Sequence, residues 1–351
     1  MSATLTTRRL PRTGQALTAL GLGGAPLGNL YSLITEAQAR DTFDAAWDAG
    51  MRFFDTAPLY GHTLSEHRFG AALREHPRDE WLISSKVGRL LKPIGRPPVP
   101  REMPAGESSW LEPLPFEVHY DYNAGAIRRS LEDSLQRLGV NHIDVALVHD
   151  IGRAQHGDRH ELYWKQLTEG GGLRELEQLK REGLVGAIGL GVNEWEVILD
   201  AMQHVDLDTS LLAGRYTLLE QASLHPFLST CVQRGVGLIV GGPFNSGILA
   251  AGTKGGSGMQ MYNYANAPTA IVQRVAALQA VCAAFDVPLA AAALQFPLAH
   301  PAVVSVVPGA RSADDLRGIV QWMNHPVPTA LWAALREQGL VHADAPLPGL
   351  D

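Results

Sequence analysis

Eight short runs rich in Val, Ile and Leu recur along the chain, at 17–24, 51–57, 81–87, 142–150, 184–193, 209–216, 236–244 and 303–310. Each is apolar nearly throughout rather than alternating, as a parallel strand covered on both faces must be. Helical patterns lie between them. Thr35-Glu-Ala-Gln38 predicts a capping box, and Phe43, Ala46 and Trp47 follow at helical spacing. Ile127, Leu131, Leu135 and Leu138 form a second stripe, and Leu173, Leu176 and Leu179 a third. Gly50, Gly139, Gly183 and Gly235 each stand between a helix and the next run, where glycine takes the left-handed conformation that closes a helix. Helix, glycine and strand repeated in this way predict a (β/α)8 TIM barrel. An open dinucleotide-binding sheet would carry G-x-G-x-x-G after its first strand. Gly21-Leu-Gly23-Gly24-Ala-Pro26 and Gly189-Leu-Gly191-Val-Asn-Glu194 both lack the last glycine.

A barrel takes about 250 residues, so 351 residues allow one domain, 1–351, with long loops. Two stretches break the rhythm: a proline-rich one at about 88–121 with Trp110, and a glycine-rich one at about 245–267. Both come after strands, which puts them on the face where barrels carry their sites. The proline-bearing segment 341–351 is expected to fold over the same mouth. The stretch 287–310 has no charge and is long enough to raise the question of a membrane span. Pro288, Pro297, Pro301 and Pro308 divide it, so it reads as a buried helix, a turn and a buried strand. The N-terminus lacks the apolar core of a signal peptide. The two cysteines, Cys231 and Cys282, form no disulfide or zinc spacing. Buried thiols in a reducing, cytoplasmic setting are expected. A net charge of −7 with no basic cluster argues against nucleic acid. No amphipathic stripe is left over for an interface, so a monomer is expected.

In a barrel, polar residues at strand C-terminal ends carry the chemistry. The second run carries Asp55 near its end, with Tyr60 five residues further on; the third carries Lys86 near its end and the fourth ends at His149-Asp150. An unperturbed phenol, pKa near 10, is a poor acid–base group at neutral pH. A neighbouring ammonium lowers that value, and a carboxylate holds the ammonium. A histidine can hydrogen-bond a carbonyl oxygen. The set suits moving a proton at oxygen while hydride moves at carbon. A metal hydrolase on the same barrel finds support only in His149-Asp150 with His156, Asp158 and His160. That segment reads as a loop, and the first run ends in Gly21-Leu-Gly23-Gly24 with no His-x-His, so no metal is expected. A binding subunit without catalysis has no need of both Tyr60 and Lys86.

Asp55, Tyr60, Lys86 and His149, with Phe53-Phe54-Asp55-Thr56-Ala57-Pro58-Leu59-Tyr60-Gly61 and Ser65-Glu66, resemble the four-residue site of the aldo-keto reductases. The resemblance starts at Gly21 and covers almost all of the chain. The segment 6–20 is similar to the hairpin that plugs the barrel floor in that family. The resemblance implies that Tyr60 is the general acid in reduction and the base in oxidation, tuned by Lys86 and Asp55, with His149 orienting the substrate oxygen. It implies a nicotinamide cofactor, NAD or NADP, bound without a Rossmann fold. Asn193 would hold the carboxamide. Gly242, Pro243, Phe244, Asn245 and Gly247 would run over the pyrophosphate, with Tyr216 near the end of the sixth strand. Gly309, Arg311, Ser312 and Asp315 would meet the adenosine side. Three positions depart from the family: Ala213 replaces its glutamine, Gly241-Gly242 its nicotinamide-stacking aromatic, and Gly318-Ile319 its Glu-Asn pair.

The stretch Leu211-Leu-Ala-Gly-Arg-Tyr-Thr-Leu-Leu219 and the glycines of the seventh run resemble a bacterial branch of that family. It holds aldose 1-dehydrogenases acting on L-fucose, L-galactose or D-threo sugars, and pyridoxal 4-dehydrogenases. The resemblance implies oxidation of an aldose at its anomeric carbon to a lactone, with Trp110 and Asp150 contacting substrate. A pyridoxal 4-dehydrogenase or a general aldehyde reductase is the alternative.

Overall fold

The computed structural model describes residues 5–95, 109–254 and 260–350; the central parts of both predicted loops, 96–108 and 255–259, lie outside them. Fourteen strands are present among the described residues: β1 Thr7–Arg9, β2 Ala16–Thr18, β3 Leu22–Gly23, β4 Phe53–Asp55, β5 Leu82–Val87, β6 Arg89–Pro93, β7 Phe116–Tyr120, β8 Ile143–His149, β9 Val185–Val192, β10 Thr209–Ala213, β11 Gly237–Gly241, β12 Met261–Tyr262, β13 Ala265–Asn266 and β14 Val303–Val307. Eight form one parallel sheet in the order β14-β11-β10-β9-β8-β5-β4-β3. Parallel bridges Leu20↔Val306 and Gly23↔Gly309 bring the first strand back to the last and close the barrel. All eight predicted runs supply a barrel strand. The first run does so only in part, because Leu17 and Thr18 belong to β2 and the barrel strand is Leu22–Gly23.

The runs are continuously apolar because they face two cores. β8 is buried at every position. Phe53, Val145, Leu147, Ala187, Leu211, Ile239 and Val304 fill the barrel interior, together with Leu10 and Leu17. Those two leucines come from the hairpin of β1 and β2, which plugs the floor as the sequence suggests. The second core lies between barrel and helices. Thr35 and Gln38 form the predicted capping box at the start of the helix Glu36–Asp48. Gly139 (φ +67°) and Gly235 (φ +65°) end their helices left-handed, a conformation that costs glycine little.

The segment 287–310 is a buried helix Leu289–Gln295, a 3-10 turn and β14, as expected. Among the described residues no single helix is long and apolar enough to cross a membrane; one helix pair passes by length and composition but is bent by 100°. Cys231 and Cys282 are buried thiols.

Three expectations are corrected. The loop at 88–121 begins and ends as an antiparallel hairpin, β6 on β7. The stretch around His156 and His160 is helical, Arg153–His156 and His160–Leu167 joined by a 3-10 turn. None of the described residues 341–350 lines the cleft over Asp55 and Tyr60: Ala345 and Leu347 are buried in the outer core, the Ala345 carbonyl accepts from Arg336, and His342 N donates to Gln221 in the loop after β10 at 3.0 Å.

Candidate active site

Asp55 ends β4, and the register Asp55↔Ser84 sets it beside β5. Side chains alternate across a strand. Ser84 and Lys86 therefore serve the barrel mouth, while Ser85 turns outward to donate to Glu66 at 2.6 Å. Lys86 is 2% exposed and Asp55 3%, a burial that an ammonium tolerates only when paired. Its Nζ donates to Asp55 Oδ2 at 2.9 Å and Oδ1 at 3.1 Å, to the Thr56 carbonyl at 2.9 Å, and to Tyr60 Oη at 2.9 Å. Ser84 Oγ also donates to Asp55 Oδ1, at 2.6 Å. Asp55, Lys86 and Tyr60 thus form one connected unit.

His149 ends β8, buried, with its ring edge-on to Tyr60 at 6.0 Å between centroids. Burial, then Arg89 and Lys86, hold its pKa well below the usual imidazole value, so it is neutral. The four residues predicted as a set therefore come together. One part of the expectation is corrected. Burial, followed by the charges of Asp55, Tyr264 and Asp150, pushes the Tyr60 phenol well above its ordinary range, and Arg89 only partly opposes this. The Lys86 ammonium touches the phenol oxygen and is shared with both Asp55 oxygens.

Trp110 is buried and stacks on Tyr60, and its neighbours Ser109 and Leu111 line the cleft. Asp150 follows His149 in a left-handed backbone conformation (φ +43°). Its Oδ2 accepts from Arg89 Nη2 at 2.6 Å.

A cleft of about 1090 Å³ opens over Asp55, Tyr60 and Asn193 and runs past Gly242, Pro243 and Phe244 to Gly309, Arg311 and Asp315. This exceeds the roughly 300–1,000 Å³ that suits a drug-sized ligand. Its far end is the N-terminus of the helix Ala313–Met323, capped by Ser312, whose hydroxyl accepts from Asp315 N at 3.1 Å. Backbone N–H groups there favour an anion. Arg311 pairs with Asp315 at 3.2 Å. Gly214, Gly242 and Gly247 give the cleft a largely bare backbone, and a Cβ at Gly247 would meet nothing within 4 Å. The size, the glycine lining and the charged helix start fit an extended dinucleotide.

Asn193 donates to the Ala213 carbonyl at 2.9 Å. Asn245 faces the cleft but commits its amide to Gly214 O at 3.0 Å and its oxygen to Thr217 at 2.6 Å, so it braces the loop. Tyr216 is not at the site. β10 ends at Ala213, Gly214 turns left-handed, and Tyr216 is fully buried between Phe296 and His300. Among the described residues no group of three or more metal-type ligands converges. His156 instead meets Tyr122 Oη at 2.9 Å, and His160 the Ile151 carbonyl at 3.1 Å.

Two site residues escape a reading of the sequence alone. Arg89 lies three residues past Lys86, just beyond the strand end. Tyr264 sits at the tip of the β12–β13 hairpin with φ +62°. It is 56% exposed and lines the cleft, and its backbone N–H donates to Ser246 Oγ at 3.1 Å.

The sequence model of the aldo/keto reductase family matches residues 19–339. The chain is 48% identical over 338 residues to pyridoxal 4-dehydrogenase of Microbacterium luteolum, covering 95% of this chain and 97% of the relative. It is 38% identical over 331 residues to D-threo-aldose 1-dehydrogenase of a Pseudomonas species, covering 93% and 96%. Among solved structures, an aldo-keto reductase of Bacillus halodurans in its holo form superposes with a TM-score of 0.71 at 23% identity, over 97% of this chain and 98% of that one. The glycerol dehydrogenase of Gluconobacter oxydans does so with a TM-score of 0.70 at 20% identity, over 98% of each. These two likenesses establish the fold.

Proposed function

From the premise that this chain belongs to the aldo/keto reductase family and is an NAD(P)-dependent oxidoreductase, we propose that it oxidises a cyclic hemiacetal to a lactone. Pyridoxal, whose aldehyde and neighbouring hydroxymethyl group close into such a ring, takes first place. An aldose oxidised at its anomeric carbon is the second reading. The sequence motifs alone rank them the other way. Similarity of 48% to a pyridoxal dehydrogenase against 38% to an aldose dehydrogenase supports the exchange.

The observation that carries the reading is the Asp55–Lys86–Tyr60 unit at the floor of the cleft. The bound nicotinamide supplies the two-electron hydride acceptor or donor. Tyr60 takes the proton from the hemiacetal hydroxyl as the C–H bond breaks, and returns it to the carbonyl oxygen in the reverse direction. Lys86 holds the phenol oxygen, and Asp55 holds Lys86. Neutral His149 hydrogen-bonds the substrate oxygen. Asn193 would hold the carboxamide end of the cofactor, the Gly242–Gly247 loop would cover its middle, and Gly309, Arg311, Ser312 and Asp315 would take the adenosine end. The Arg311–Asp315 pair favours NAD, because a 2′-phosphate would meet a carboxylate beside the arginine.

The test is an oxidation assay on pyridoxal, L-fucose, L-galactose and D-arabinose, with NAD and NADP measured separately. Turnover of pyridoxal or of one sugar series with lactone as product supports the reading. Aldehyde reduction with no ring oxidation by either cofactor overturns it.

A further inference from the structure

Arg89 opens β6 directly after the left-handed Gly88 and is 3% exposed. Burying a guanidinium costs several kcal/mol unless it is well paired. Its partner is Asp150 Oδ2, at 2.6 Å. Asp150 itself keeps a backbone conformation (φ +43°) that a side-chain-bearing residue adopts at a cost, and such strain gathers where ligands are held. The carboxylate is 22% exposed. One oxygen takes Arg89, while the other has no hydrogen-bond partner among the described residues.

Orienting His149 does not account for this arrangement. The nearest approach, Nε2 to Oδ2, is 3.6 Å, too long for a hydrogen bond, and the imidazole is neutral. The proton-transfer unit of Tyr60, Lys86 and Asp55 is complete without Asp150. The carboxylate stands 3.6 Å from His149 Nε2, and the His149 ring meets Tyr60 edge-on at 6.0 Å, so it lies beside the proton-transfer phenol, whose pKa it helps to raise. A merely structural ion pair needs neither the backbone strain nor the outward oxygen.

We propose that Asp150 is the specificity-determining acceptor for a hydroxyl carried within two carbons of the reacting one, and that Arg89 is the positioning residue that keeps its carboxylate ionised and aimed. This rests on the reading above of Tyr60 as the proton-transfer residue and names what the same pocket selects. An aldose carries that hydroxyl on the adjoining carbon, and pyridoxal carries its phenolic hydroxyl one carbon further along the ring. A plain alkyl aldehyde has none.

The experiment compares reduction of glyceraldehyde and propanal, which share a three-carbon chain and differ in hydroxyls. The quantity read is the ratio of their kcat/KM values, in wild type and in Asp150→Asn. Losing a charged acceptor is expected to lower the ratio about 10- to 100-fold. Arg89→Met is expected to lower it similarly and Arg89→Lys to restore most of it, with binding of reduced nicotinamide confirming that each variant is folded. An unchanged ratio in Asp150→Asn overturns the assignment of Asp150. An unchanged ratio in Arg89→Met overturns the positioning role. The ring-oxidation reading fails separately, in the wild-type oxidation assay, and the aldehyde ratio does not depend on it.

Discussion

Trp110 lies nearly flat on Tyr60, with ring centroids 5.5 Å apart and planes 27° apart. The tryptophan comes from the long loop after β5, and a backbone bridge to Leu30 ties it to the loop after β3. Two loops distant in sequence thus cover one face of the phenol, while Lys86 sits 4.5 Å from its ring centroid. The tryptophan covers one face of a half-buried phenol that lines the cleft, and burial is the largest cause of the phenol's raised pKa.

Tyr60→Phe removes the hydroxyl that Lys86 holds toward the cleft and leaves the ring to pack on Trp110. Turnover is expected to fall at least about 10³-fold, in the range of a lost general acid–base group. Affinity for reduced nicotinamide, read by fluorescence titration, is expected to change less than about threefold. Substantial residual turnover would remove Tyr60 as the proton-transfer residue.

The direction of the Tyr60 shift fixes the pH dependence. A phenol raised well above its usual value stays protonated through neutral pH, so it is ready as an acid and scarce as a base. Reduction is therefore expected to be flat in log kcat/KM from about pH 6 to 9. Oxidation is expected to climb by nearly one log unit per pH unit over the same span. His149, held well below its ordinary value, is expected to add no break near pH 6.5. A plateau in oxidation below pH 8 would contradict the shift.

The barrel is legible in the sequence because both faces of its strands are buried, which leaves runs such as 142–150 without polar interruptions. The proton-transfer residues are legible because strand ends in a barrel converge. Asp55 and His149 end their strands and Lys86 is next to last in its own. Legibility fails where a residue's position depends on the path of the chain beyond a strand end. β10 stops at Ala213, and the turn at Gly214 carries Tyr216 into the core. Arg89 lies past the end of β5, in a hairpin whose strands Arg89–Pro93 and Phe116–Tyr120 mix charged, aromatic and proline residues with no clear period. Tyr264 projects from two very short strands, too brief to leave a pattern.

Gly241 stands where the family places an aromatic residue, and it lines the cleft beside Leu211 and Ala213. A Cβ there would come within 2.8 Å of Leu211 Cδ2, the far end of a flexible side chain, and the backbone is not left-handed. Gly242 has φ +54°, so substitution there would add strain. Gly241→Trp is therefore the cleaner test of whether the missing bulk makes room for a ring. The ratio of kcat/KM for ring oxidation to that for a small alcohol is expected to fall at least about tenfold. Equal losses on both would discard the idea.

The proposed preference for NAD rests on the exposed Arg311–Asp315 pair. Arg311 Nε and backbone N both lie 3.2 Å from Asp315 Oδ2. Arg311 is the cation that would meet a 2′-phosphate at this end of the cleft. Asp314 is engaged by Arg317 at 2.6 Å, so Asp315 is the carboxylate competing for Arg311. A ribose diol can donate hydrogen bonds to that carboxylate. A phosphate dianion is repelled by it and must also displace it. Asp315→Ser shortens the side chain, frees Arg311 and removes the repulsion, while Ser312 still caps the helix through the backbone N–H of residue 315. The ratio of kcat/KM with NADP to that with NAD is expected to rise about tenfold, equivalent to ~1.4 kcal/mol, with most of the gain in the KM for NADP. The gain is expected to shrink in 0.5 M salt, because the pair is exposed and screened. A ratio unchanged at low salt would show that the adenosine end is read elsewhere.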